Sequence, residues 1–184
     1  TKPLITYYFK SKSNLAREVT EKFLVEHKNR VAFRLYLEYF RGKPADLQVS
    51  TAVEIRLYDM LHLCDPNVMR FIKEHADEKH EDTFSQSVVH LYKIHDRRYK
   101  LKLKRCPDEI SMIARSAMAS SLSVKLAYAN GEFDCSQEEC LDYLTSLHFV
   151  LMHIDESRID EIIDESKRVL QLIPFEIKPY FQVI

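Results

Sequence analysis

Apolar residues recur along most of this chain at spacings of three and four, the period of amphipathic helices. From residue 14 the series Leu15, Val19, Phe23, Leu24 and His27 marks one helical face, with Ser13 or Asn14 placed to cap its start. The pattern continues through Val31, Phe33, Leu35, Leu37 and Phe40, as one helix or as two with a bend near Asn29, until Gly42 and Pro44 end it. A second helix is expected from Thr51, which with Glu54 has the spacing of a capping box, and it carries Val53, Ile55, Leu57, Met60 and Leu61 as far as Cys64 and Asp65. Pro66 opens a short helix over 67–75 with Val68, Phe71 and Ile72 inward. The polar run 76–82 reads as a loop, and a further helix from Thr83 puts Phe84, Val88, Leu91 and Ile94 on one face.

Residues 108–130 differ from all of these. Ile110, Met112, Ile113, Ala117, Met118, Leu122, Val124, Leu126 and Tyr128 spread around the whole circumference, and only Arg115 and Lys125 are charged between Ile110 and Ala129. A helix apolar on every side is expected to be buried. Pro107 suits the first helical position and Gly131 suits a left-handed end. The segment predicts a rod of about 33 Å at the centre of the domain. A membrane span is the rival reading, but five serines and two ionised side chains inside the segment argue against it.

Beyond Gly131, Ser136 and Glu139 form another capping-box pair, ahead of Leu141, Leu144, Leu147, Phe149, Leu151 and Met152. A last amphipathic helix is expected over about 156–172, with Ile159, Ile162, Ile163, Val169 and Leu170 inward and Pro174 as its stop. The tail carries Phe175, Tyr180 and Phe181 and is expected to pack against the body. Residues 4–9, LITYYF, leave two readings open within an N-terminal segment 1–12, a short strand-like arm or a helix that begins early. The fold expected is therefore all-α, a single helical domain over 1–184.

Composition narrows this further. Two glycines and no tryptophan in 184 residues disfavour a β-sandwich or a phosphate-cradling α/β fold. Cys64, Cys106, Cys135 and Cys140 lack the dense spacing of a secreted disulfide framework, so reduced thiols are expected. The first residues lack the apolar core and cleavage site of a signal peptide. Charge is balanced overall but uneven. Lys93, Arg97, Arg98, Lys100, Lys102, Lys104 and Arg105 cluster against Asp96 alone, while 132–165 leans acidic. Arg97, Arg98 and Lys100 form a candidate basic patch for RNA or an acidic partner; the plainer reading is a solvated face or a complement to the acidic end.

Candidate chemistry mostly fails on spacing. Asn130, Glu132 and Asp134 alternate like calcium-loop ligands, but the required glycine falls on Cys135 and the bidentate glutamate on Leu141. His62 with Cys64, or Cys135 with Cys140, offers pairs of zinc ligands without a second pair. The histidine pairs 75/80, 90/95 and 148/153 are five apart, which turns their rings away from a shared ligand and points to surface or half-buried positions. Arg70 and His75 share the spacing of an active pair in helical ribonucleases, with apolar Phe71 where those enzymes tend to be polar. No catalytic triad order, P-loop or dinucleotide fingerprint is present, so no enzyme, no metal and no cofactor is expected.

The stretches RLYDMLHLCDPNVMRFI (56–72), VVHLYKIHD (88–96), DEISMIARSAMA (108–119) and CLDYLTSLHFVLMHID (140–155) together resemble the poxvirus Bcl-fold immunomodulators, over roughly 37–163. The resemblance implies a Bcl-2-like bundle of about seven helices around the 108–130 helix. It also implies a protein of the host cytoplasm with no membrane anchor. Its implied partner is a host signalling protein, with a second copy of the chain as another candidate, and nucleic acid is not expected. The implied role is suppression of NF-κB and interferon signalling, or inhibition of apoptosis by gripping a death-motif helix. Apoptosis inhibitors of that kind tend to carry Gly-Arg at the entry to the central helix. Pro107, Asp108 and Glu109 stand there instead, which favours the innate-immune type. The end of the helix departs from the family as well, reading Tyr128-Ala129-Asn130-Gly131. A groove would be lined by Met60, Leu61, Val68, Phe71, Val88 and Leu91, residues that could equally fill the core.

Overall fold

A computed structural model describes residues 7–75, 81–103, 106–178 and 182–183. Among them the chain forms seven long helices: α1 (Lys12–Arg34), α2 (Leu47–Cys64), α3 (Pro66–His75), α4 (Glu81–Tyr99), α5 (Glu109–Ala129), α6 (Gln137–Leu151) and α7 (Glu156–Leu172). Two-residue strands β1 (Ile177–Lys178) and β2 (Gln182–Val183) pair antiparallel in the tail. No helix of the described residues is long and apolar enough to cross a membrane. Within the 1–12 segment residues 7–9 are helical and residues 1–6 lie outside the described residues, as do residues 76–80 of the 76–82 run.

The caps explain where several helices start. Ser11, rather than Ser13 or Asn14, accepts the Asn14 N–H and starts α1. Asp46 accepts from the Gln48 and Val49 N–H groups and starts α2 four residues before the expected Thr51. Thr51 is instead buried within the helix, its hydroxyl 3.0 Å from His95 Nε2 of α4. At α6 the Ser136–Glu139 capping box forms as expected. Gly131 ends α5 with φ +74°, a left-handed conformation that glycine adopts without strain. Pro107 sits in the turn before α5 and Asp108 takes the N-cap position, so the proline is not the first helical residue.

α1 does not bend at Asn29. It runs on into a π-helical turn, Leu35–Tyr39, closed by the Phe40 N–H on the Leu35 carbonyl at 2.9 Å. An α-helix would turn residues five apart to different sides. The wider turn lets both Leu35 and Phe40 reach one cluster, with Val31, Val49, Val53, Leu57, Val169 and Ile173. The start of the tail packs here too, as Arg34 donates to the Pro174 carbonyl at 3.0 Å and stacks over the Phe175 ring, while Tyr180 and Phe181 lie outside the described residues.

The expected centre is displaced. α5 is not enclosed on all sides: its buried residues, Ile110, Ala114, Ala117, Ser121 and Lys125, form one stripe at spacings of four, three, four and four. Met112, on the outward side, is 58% exposed. The helix that the others surround is α2, which packs against α6 and α7 most extensively, against α1 and α3, and more lightly against α5. Ala52, Val53, Leu57 and Leu61 are sealed, and so are the polar Arg56, Asp59 and His62. Ser116, Ser120 and Ser123 face outward, where their hydroxyls need no partner, and the small buried side chains of Ala114, Ala117 and Ser121 allow close approach to α4 and α6.

Candidate functional site

The polar face of α2 is turned into the protein, and two ionic clusters meet it. In the first, Lys125 of α5 reaches across to Asp59, Nζ to Oδ1 2.8 Å, with both side chains almost wholly buried. The same ammonium lies 3.5 Å from His62 Nδ1 and 5.1 Å from the centre of the Tyr58 ring. His62 Nδ1 also faces Asp59 Oδ1, at 3.9 Å. Tyr58 stands edge-on to His62 and lies against Phe23 and His27 of α1, and His27 is bonded to the Glu54 carbonyl at 3.1 Å.

Burial would raise the Asp59 carboxyl, but the Lys125 charge and His62 outweigh it and hold the group below the ordinary range. His62 is driven down, first by burial and then by Lys125, and stays neutral. Burial also pushes the Tyr58 phenol up. The cluster is thus a carboxylate–ammonium pair beside a neutral imidazole, bridging α2 and α5 in the low-dielectric interior. Among the described residues Asp59 Oδ2 and His62 Nε2 have no hydrogen-bond partner.

In the second cluster Arg56, 1% exposed, donates Nη1 to Asp142 at 2.7 Å and Nη2 to Glu138, both on α6, and Lys167 of α7 pairs with the other Asp142 oxygen. Among the described residues, Glu138 and Asp142 are therefore neutralised by Arg56 and Lys167. Two more histidines are interior: His95 against Thr51, and His148, whose Nδ1 is bonded to the Tyr92 hydroxyl at 2.8 Å. Burial lowers both to about 4. The surface positions expected of the pairs are taken by the other members, His90 and His153; the His75 side chain and His80 lie outside the described residues.

The six groove candidates are dispersed. Leu61 and Val68 are sealed in a cluster with Phe23, Met60 joins the Leu35 cluster, and Val88 joins a third around Tyr92 and Phe149. Phe71 and Leu91 are half-buried. Four of the six thus belong to three different core clusters. One surface hollow of about 340 Å³ is lined by Ala45, Leu47, Ser50, Ile94, Arg97 and Arg98. Arg98 donates to the Ala45 carbonyl at 3.1 Å, and Arg97, Lys100 and Lys102 are exposed, so the basic segment does present a charged surface. A larger hollow of about 660 Å³ runs between Tyr39, Val49 and Arg158. The buried ionic clusters line neither.

The surface feature missed in the sequence is on α1. Phe33, 63% exposed, and Tyr36, 68% exposed, stand with Leu37 on one side of the helix where the π turn begins. Periodicity had assigned Phe33 and Leu37 to the buried face. The signal available was the tight run of large residues at 31, 33, 35, 36, 37, 39 and 40, more than one helical face can bury.

No family model matches the chain, and no curated protein or solved structure matches it.

Proposed function

We propose that the chain acts by surface contact, as a helical module that binds a host signalling protein and damps innate immune activation. The observation that carries the contact reading is the exposed Phe33–Tyr36–Leu37 face of α1. Large apolar side chains clustered in water mark an interaction surface more often than chance, and a π turn beside them is a common feature of functional sites. The partner class comes from the resemblance to poxvirus Bcl-fold immunomodulators. The sequential order of seven helices agrees with that likeness, and the central position of α2 in place of α5 counts against it.

Co-purification from transfected cells, run beside an NF-κB or interferon reporter, tests the reading. The wild-type chain should retain a partner and suppress the reporter, and the Phe33→Ser, Tyr36→Ser double variant should lose both while remaining folded. Suppression undiminished in that variant would remove the α1 face from the account, and no suppression by the wild type would remove the role.

A second reading, RNA binding, has one observation in its favour, the exposed Arg97, Lys100 and Lys102 beside the Arg98 hollow. It requires salt-sensitive retention of RNA that weakens when Arg97, Arg98 and Lys100 are replaced.

A further inference from the structure

Three of the four cysteines lie toward one end of the protein, around Tyr128 and Gln137. Cys64 is the last residue of α2, Cys135 lies in the connection after Gly131, and Cys140 is in the first turns of α6. Tyr128, near the end of α5, lies within electrostatic reach of all three sulfurs. Gln137 Nε2 donates to Cys64 Sγ at 2.8 Å, so the residue two places after Cys135 is already in contact with Cys64. Cys64 and Cys135 are exposed, while Cys140 is buried, which pushes its thiol up to about 11 and keeps it protonated. Cys106 is exposed as well, in the turn before α5.

We propose that Cys64 and Cys135 are an oxidative modification site that closes to an intramolecular disulfide when the protein meets a peroxide. One thiolate attacks a peroxide oxygen, the O–O bond breaks, and a sulfenic acid forms with release of one water after proton uptake. The second thiolate then attacks that sulfur and displaces hydroxide, which leaves as a second water. Two thiols and one hydrogen peroxide thus give one disulfide and two waters, with two electrons passing from sulfur to peroxide oxygen. The bond would tie the end of the central helix α2 to the α5–α6 connection and close a loop of about 70 residues, which restricts the unfolded chain more than the folded one.

The test is a peptide map of the full chain, dilute and at neutral pH, before and after a small molar excess of hydrogen peroxide. The expected product is a monomer lighter by two hydrogens, with the Cys64 and Cys135 peptides joined, a higher Tm than the reduced protein, and complete reversal by dithiothreitol. Cys64→Ser and Cys135→Ser should each abolish the mass loss and the Tm shift, and Cys106→Ser and Cys140→Ser should change neither. A Cys135–Cys140 link, covalent dimers through Cys106, or separate sulfinic acids on Cys64 and Cys135 would each overturn the assignment.

Discussion

Lys125 Nζ lies 2.8 Å from Asp59 Oδ1, and neither side chain is exposed by more than 8%. A pair so placed is asymmetric in energy. Its formation gains little over an apolar contact of the same shape, because both ions give up hydration. Loss of one partner leaves the other charge stranded. Lys125→Met should cost about 3–5 kcal/mol, while Asp59→Leu combined with Lys125→Met should recover most of that or exceed the wild type. Urea denaturation of the three proteins measures both outcomes. A double variant as unstable as the single one would mean that the pair itself, and not the stranded carboxylate, holds α5 in place.

Arg56 provides a contrast. It is equally buried, yet its partners Glu138 and Asp142 are 59% and 32% exposed at the side chain and can return to water. Arg56→Met should therefore cost only about 1–3 kcal/mol, the loss of charge-assisted hydrogen bonds without a stranded ion. The same denaturation series checks the order, with Lys125→Met below Arg56→Met.

Stability should fall in mild acid. His62, His95 and His148 have folded values of about 4 against an ordinary 6.5, so between those limits the unfolded chain binds more protons than the folded one. Their contribution is complete above pH 6.5 and is lost as pH falls toward 4, at up to ~1.4 kcal/mol per pH unit for each histidine. The Asp59 carboxyl adds its own loss below the usual carboxylate range. Tm measured from pH 7.5 down to 4.5 should decline from near 6.5, and His148→Gln should flatten the slope.

Much of the secondary structure was legible because it depends on neighbours in sequence. The Ser136–Glu139 box, the limits of α7 and the left-handed Gly131 all follow from residues a few positions apart. The identity of the central helix was not legible, because it depends on pairs far apart. Arg56, Asp59 and His62 have the polarity of an outward face, and their burial is possible only because Lys125 and Asp142 arrive from α5 and α6. The apolar excess of α5 misled in the opposite direction, since Met112 lies in water together with Ser116, Ser120 and Ser123. A closer reading of Ala114, Ala117, Ser121 and Lys125 as one stripe of small residues ending in a lysine could have revealed both the contact face of α5 and its need for a buried acid. The groove candidates suffered from the same limit: spacing identifies residues that leave water, not the neighbours they meet.

The central claim is that α2 is the enclosed helix and α5 a flank. Carboxylates placed on each helix, followed by chemical denaturation, test it most directly. Met112→Glu and Ala119→Glu on the outward side of α5 should change stability by no more than about 0.5 kcal/mol, whereas Ala52→Glu in α2 should cost ~3 kcal/mol or more. If the two α5 substitutions prove as damaging as Ala52→Glu, the chain is built around α5 after all and the arrangement described for α2 is wrong.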